Sequence, residues 1–494
     1  MKELQTTTGG SSPKNFDVII VGAGISGIDT AYYLQTQAPG TSYTILEGRA
    51  DIGGTWDLFK YPGIRSDSDM TTFGFAWYSW MRPERLGTAR HIKSYLWTSV
   101  EKFGINKNIR LNQRVLFADW DTASKHWVLT VRDGRGAIQT YRTRFLVLGT
   151  GYYDYEQPRE ALIPGLKNFT GQIIHPQFWP ADLDYSGKDI VVIGSGATAV
   201  TLVPAIAEKA KSVTMLQRSP TYIIPQPILG SEGRLVRFVK RVFPEGVARW
   251  FKRAHHIFWS TFFYTYCMAF PEKVKSRLKE VTIKRLPPGL SWDPHFNPRY
   301  NPWAQRLCVC PGGDFYKALC NGKAHVVTDT IETVTQSEIR LTSGSTLRPD
   351  MIVTATGLKL QFGGGLKLSI DGNEVDVSRK YTWKGAMVQD VPNMMFVMGY
   401  SNTSWTLGAD VTATRLTRLL NLMKRRGAKV VVPRLDNRMK LEEKPVFNLS
   451  STYLEKASEV FPRAAGGIWD HKRNYLFDMF DAYWGSITKG LVIE

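Results

Sequence analysis

At 494 residues the chain is too long for one ordinary domain and long enough for two or three, and its 43% hydrophobic content excludes a disordered or fibrous protein. Four cysteines (Cys267, Cys308, Cys310, Cys320), with no Cys-x-x-Cys pair among them, exclude a disulfide framework and leave no expected metal site; reduced thiols in a cytosol are the simplest account. A formal net charge of +19 exceeds what one anionic nucleotide needs, and with no nucleic-acid-binding module visible the surplus points to an anionic membrane surface.

Met1 to Pro13 is polar and reads as a short disordered lead-in, with no signal peptide. The apolar run Phe16–Val21 then predicts a buried strand that delivers the chain into Gly22-Ala23-Gly24-Ile25-Ser26-Gly27 and a helix. Glycines at Gly22, Gly24 and Gly27 let the backbone turn sharply and let a pyrophosphate approach the main chain over the positive end of the helix, with Ser26 in the same turn. The next strand, Tyr43–Leu46, ends in Glu47, and an acid at about this distance past the turn accepts the hydroxyls of an adenosine ribose. This first site is expected to hold FAD.

Further along, Val115–Trp120 and Trp127–Val131 alternate like strands, and Phe145–Gly151 is a buried strand ending in glycine. Phe169–Pro180 reads as a linker. The turn then returns as Gly194-Ser195-Gly196-Ala197-Thr198-Ala199, directly after the strand Asp189–Ile193. Its following strand, Ser212–Leu216, ends in Gln217-Arg218-Ser219, with no acid. A guanidinium in that place suits a 2′-phosphate that an acid would repel, so Gly194, Gly196, Ala197, Thr198, Arg218 and Ser219 are expected to bind NADPH. Two dinucleotide sites in one chain imply electron transfer between them.

Gly230–Pro288 is basic, aromatic and helix-patterned. Two readings stay open: a basic amphipathic segment lying on a membrane surface, or a helical subdomain over the active site with its basic face solvated. No apolar run reaches the roughly 20 residues of a spanning helix. Asp350–Gly357 nearly repeats the strand-to-glycine pattern of Phe145–Gly151, and the two bracket the second turn. The expected fold is therefore α/β, with two Rossmann-like domains, the NADPH domain inserted into the FAD domain. The expected boundaries are 1–151 (FAD, first part), 152–354 (NADPH, with a helical insertion at about 225–300) and 355–494 (FAD, second part).

The stretch Phe169-Thr170-Gly171-Gln172-Ile173-Ile174-His175-Pro176-Gln177-Phe178-Trp179-Pro180 resembles the F-x-G-x-x-x-H-x-x-x-W-P fingerprint of type I Baeyer–Villiger monooxygenases, through Phe169, Gly171, His175 and Trp179. Gly53-Gly54-Thr55-Trp56, Tyr61-Pro62-Gly63-Ile64-Arg65-Ser66-Asp67 and Ala355-Thr356-Gly357 carry the same resemblance, over about residues 16–480. Within the family the chain is most similar to the ethionamide monooxygenase branch, at Arg65–Met70, Asn301–Cys308 and Gly399–Leu407.

The resemblance implies that NADPH reduces the flavin and O2 then gives a C4a-peroxyflavin. That species would oxidise a ketone to an ester or lactone, or a thioether or thioamide at sulfur. It also implies roles: Arg306 as the active-site arginine, Asp67 as its partner, and Thr55, Trp56, Asp67, Thr356 and Gly357 at the cofactors. A guanidinium suits the anionic oxygen of such a reaction because it stays protonated. His175 is expected to hold the linker's conformation, donating to a main-chain carbonyl, rather than to move protons. The chain departs from the family at Gln305, where many members carry a lysine that helps hold the 2′-phosphate, and at Ile64-Arg65-Ser66. Three other readings compete: a flavin monooxygenase acting mainly on sulfur or nitrogen, a flavin disulfide reductase lacking its cysteine pair, and a membrane-surface protein with a degenerate flavin fold.

Overall fold

The computed structural model describes residues 13–226, 233–436, 440–446, 457–472 and 474–494. The expected lead-in at residues 1–12 and part of the helical insertion, residues 227–232, lie outside them. Two sheets organise the molecule. In the first, Lys14–Val21 lies between Tyr43–Leu46 and Ile138–Leu148 and runs parallel to both. Val18–Val21 and Leu34 on the following helix are buried, which is why an unbroken apolar run forms this strand. Gln113–Asp121, His126–Asp133 and Ile138–Leu148 form an antiparallel meander. The chain returns to this sheet late: Lys367–Ile370 pairs with the meander and Met394–Phe396 pairs with Ile138–Leu148.

The second sheet is all parallel. Its order is Ala324–Thr328, Ser212–Gln217, Asp189–Ile193, Met351–Thr354, Gln172–Ile174. The segment read as a linker thus contributes an edge strand, Gln172–Ile174, that registers on Met351–Val353. Because strands from 172 to 354 build this sheet while the first is completed from 367 onward, the unit around the second glycine turn is inserted into the unit around the first. Three helices follow the second unit's early strands: Arg234–Val242, Glu245–Ala269 and Pro271–Ile283. Among the described residues no helix is long and apolar enough to cross a membrane.

Candidate active site

The first turn is shaped by what crowds it. Gly22 has φ +102°, and a Cβ there would lie 2.8 Å from the Gly149 carbonyl oxygen, at the end of the neighbouring strand. A Cβ on Gly27 would overlap the Gly22 carbonyl oxygen. At Gly24, by contrast, the nearest protein atom to a Cβ is Gly54 Cα at 3.7 Å, so the protein does not fill the space above the turn. The helix Ile25–Gln37 starts with no side-chain cap and no acid in its first turn, which leaves its N–H groups for an anion. Glu47 is buried; its Oε2 accepts from Ala23 N–H at 2.7 Å and its Oε1 from Arg49 N–H at 2.9 Å. Burial pushes its carboxyl above the ordinary value, against the pull of those two N–H groups.

The second turn repeats the plan. Gly194 has φ +131° and abuts the Ala355 carbonyl, again at the end of the adjacent strand. The helix Ala197–Ile206 also begins without a side-chain cap or an acid. Nothing lies within 4 Å of a Cβ on Gly196, and Gly196, Ala197, Arg218 and Ser219 are exposed. Ser195 Oγ donates to the Ser219 carbonyl at 2.8 Å, which ties the turn to the strand end that carries Arg218. Thr356 Oγ1 is buried with no hydrogen-bond partner, and Gly357 follows with φ +103°. Both cradles therefore fit dinucleotides: uncapped helix starts, glycine-lined approach, and an acid at one strand end against a guanidinium at the other.

One cavity of about 630 Å³ joins the two turns. Gly22, Gly24, Ser26, Glu47, Thr55 and Trp56 line one end; Ala197 and Thr198 reach it from the second unit. Asp67 and Arg306 line it as well, with Asp67 Oδ1 and Arg306 Nη2 3.9 Å apart. Sequence reasoning gave no role to several further residues in this wall. Tyr152 stacks on Trp405 with ring centroids 5.1 Å apart, and Trp405 Nε1 donates to Ser26 Oγ at 2.8 Å. Burial raises the Tyr152 pKa, and Arg306 opposes the rise. Tyr155 shares a 3.1 Å hydrogen bond with Thr55, and burial pushes its phenol up to about 12. Tyr61 reaches toward the Thr198 hydroxyl of the second turn and is likewise pushed up to about 12 by burial. Arg65 joins the two units through Asp314 at 2.8 Å, while its Nη2 is buried with no hydrogen-bond partner. The signal for Tyr152 and Tyr155 was their place just past Gly149–Gly151, at a strand's carboxyl end, where open α/β sheets bind ligands.

The fingerprint residues lie elsewhere. Phe169 packs with Val191 and Ile352 in the second unit's core, and a Cβ on Gly171 would lie 2.6 Å from the Asp350 carbonyl oxygen. His175 Nδ1 accepts from Gln177 N–H at 3.2 Å. Its buried Nε2 meets no partner in normal geometry; the Gly357 main chain only tempers the fall that burial imposes on the ring's pKa. Trp179 is buried and meets Tyr185 edge-on. None of the four lines the cavity. Gly27, Gly194, Gly196, Arg218, Ser219, Thr356 and Gly357 also lie outside its wall. Cys308 and Cys310 are buried free thiols that burial pushes up to about 12, so neither is a ready redox thiolate.

Residues 19–224 match the pyridine nucleotide-disulphide oxidoreductase family. The chain is 45% identical over 468 residues to the FAD-containing monooxygenase EthA of Mycolicibacterium smegmatis, covering 94% of each. It is 45% identical over 467 residues to the probable FAD-binding monooxygenase AlmA of Acinetobacter baylyi, covering 94% of this chain and 93% of that one. Among solved structures, an oxidized steroid monooxygenase bound to NADP superposes with TM-score 0.74 at 21% identity, over 97% of this chain and 99% of the other. OTEMO in complex with FAD and NADP superposes with TM-score 0.73 at 19% identity, over 98% of this chain and all of the other. These two share the fold.

Proposed function

The chain belongs to the FAD-containing monooxygenases, and from that premise we propose that it uses FAD and NADPH to place one atom of O2 beside a ketone carbonyl. The product is an ester or lactone, and thioethers or thioamides are oxidised at sulfur by the same site. The observation that carries this reading is the approach of Arg306 to Asp67 inside the one cavity that both turns border. FAD suits the first turn and NADPH the second. When bound, they supply the hydride and the activation of O2, which no side chain here provides.

The protein's own part is to bind, orient and hold charge. First-turn N–H groups of the two helices take the pyrophosphates. Glu47 accepts from ribose hydroxyls, and Arg218 with Ser219 takes the 2′-phosphate in place of the missing lysine at Gln305. The Arg306 guanidinium borders the cavity and faces the oxyanion that develops on the substrate carbonyl. Asp67 orients it from 3.9 Å. Trp56, Tyr152 and Trp405 present aromatic surface that favours apolar substrates and keeps water out.

The test is product analysis with the FAD-loaded protein, NADPH and two substrates, a ketone and a thioether. Ester from the ketone supports the reading. Sulfoxide alone moves the protein to the sulfur- and nitrogen-oxygenating enzymes, and hydrogen peroxide alone with both substrates overturns oxygen transfer. Arg306→Ala is expected to leave flavin reduction by NADPH intact and to lower ester formation by about 10³-fold. An unchanged ester yield would remove Arg306 from the mechanism.

A further inference from the structure

The helix Glu245–Ala269 has two unlike faces. Its inner face is pinned to the first unit: Arg253 donates to the carbonyls of Gly74 (2.6 Å) and Thr71 (3.1 Å) and pairs with Asp410 at 3.0 Å. Ile257 packs against Tyr400 and Leu407. Its outer face is aromatic and open to solvent, with Phe258 57%, Trp259 52%, Phe262 50% and Tyr266 37% exposed and in ring contact along the helix. Water gives such a surface no compensation, and folded monomers rarely leave a large one bare.

The flanking helices extend this surface and charge it. On Arg234–Val242, exposed Leu235, Phe238 and Val242 form one stripe, and Arg234, Arg237 and Arg241, each one position earlier, form the stripe beside it. From Arg234 to Arg285 the chain carries thirteen lysines and arginines against three glutamates. The C-terminal helix Tyr475–Trp484 adds exposed Leu476, Phe480 and Trp484 at fourth-residue spacing, and its first residue, Tyr475, packs into the same cluster as Ile257 and Tyr400.

We propose that this surface docks on an anionic lipid leaflet. The aromatic and aliphatic stripes enter the boundary between headgroups and acyl chains, and the arginines meet the lipid phosphates. An apolar stripe edged by arginines is the arrangement that lies in a membrane interface, with the long basic side chains reaching outward along it. A second copy of the chain is a poorer occupant: a two-fold contact would set this basic surface against itself. The location also has a use. Tyr400 lines the cavity and touches Ile257 of the docking helix, so one residue separates the lipid-facing helix from the cavity. A docked enzyme would draw apolar substrate from the leaflet; that consequence rests on the proposed function, whereas the docking does not.

Flotation of the FAD-loaded protein with vesicles tests the docking without any turnover. Vesicles of phosphatidylcholine with about one-third phosphatidylglycerol are expected to carry the protein, and vesicles of phosphatidylcholine alone are not. The triple change Arg234→Gln, Arg237→Gln, Arg241→Gln is expected to weaken partition by about a hundredfold. The triple change Phe258→Ser, Trp259→Ser, Phe262→Ser is expected to weaken it by at least about tenfold. Retained flavin absorbance shows that each variant is folded. Failure of the unaltered protein to float, or flotation of both variants equal to that of the unaltered protein, overturns the proposal. So does a dimer that the serine changes dissociate in a protein that ignores vesicles, an outcome that assigns the surface to self-association.

Discussion

In the first glycine turn Ser26 and Glu47 are buried, and Gly27 leaves no room for a methyl against the Gly22 carbonyl. In the second, Ala199 stands where Gly27 does, Gly196 has no neighbour within 4 Å of a Cβ, and Arg218 faces solvent. Both turns brace their first glycine on a carbonyl at the end of the adjacent strand, Gly149 in one and Ala355 in the other. The backbone problem is therefore solved once and used twice; what differs is enclosure. A cofactor that stays through many turnovers gains from burial, which slows its release. One that must be exchanged in each catalytic cycle needs an open rim and a charge that steers it in. On the proposed reading FAD sits in the closed turn and NADPH in the open one.

That contrast can be broken most forcefully at Gly27. In Gly27→Ala the new methyl meets backbone, which cannot swing aside as a side chain can, so stability is expected to fall by about 3 kcal/mol and FAD to be lost on purification. Thermal melting and flavin content measure both; a stable yellow variant would show that the first turn is not closed. Arg218→Ala strikes the open turn. A charge-assisted hydrogen bond contributes about 1.5–3 kcal/mol, so the KM for NADPH should rise roughly 10–100-fold while that for NADH hardly moves. Equal rises for the two would mean that Arg218 does not read the 2′-phosphate.

Both turns are legible in the sequence because strand, glycine and helix start follow one another within a few residues. The same holds for Glu47 and Arg218, each at the end of the very next strand. Asp67 and Arg306 are different: far apart in the chain, they are brought together by the fold, and only the family resemblance singles them out beforehand. The edge strand Gln172–Ile174 is three residues long, too short for alternation to mark it, so its segment reads as a linker. The cavity wall is the least legible part. Tyr152, Tyr155 and Trp405 are ordinary aromatics in the sequence, and they gain meaning only because a strand end and the start of a late helix converge on Ser26 and Thr55. The exposed side of the helix Glu245–Ala269 is half-legible: a membrane-surface segment and a helical subdomain over the site both stay open in the sequence. Aromatic residues at helical spacing fit either reading, and only the fold shows which side of the helix is left open.

Gly196→Ala sharpens the contrast with Gly27→Ala. The same added methyl meets no protein atom, and Gly196 already has φ −75°, which alanine adopts freely. Stability should change by less than about 1 kcal/mol and flavin content not at all. The KM for NADPH should rise by roughly tenfold or less, because the methyl occupies space left for the phosphates. A drop in stability like that of Gly27→Ala would show the second turn to be as closed as the first.

The smallest expected effect lies between the two regions, at His175. Its Nδ1 accepts from the Gln177 main chain, and the Gln177 side chain donates to the Asp154 carbonyl at 2.6 Å, so the ring braces the segment on which the chain crosses from one sheet to the other. Burial lowers its pKa below the ordinary 6.5, with the Gly357 main chain opposing. The native ring therefore takes up its proton less readily than the unfolded chain does. As pH falls below 6.5 the unfolded state binds protons first and stability declines, until the pH passes below the native value and the loss is complete. Protonation also removes the lone pair that accepts from Gln177, so this decline should fall on the crossing segment. His175→Gln is expected to make melting temperature less sensitive to pH below 6.5. It should not abolish the dependence, because burial lowers His256 and His295 in the same direction. A slope identical to that of the unaltered protein would mean that the two regions are not joined through this ring.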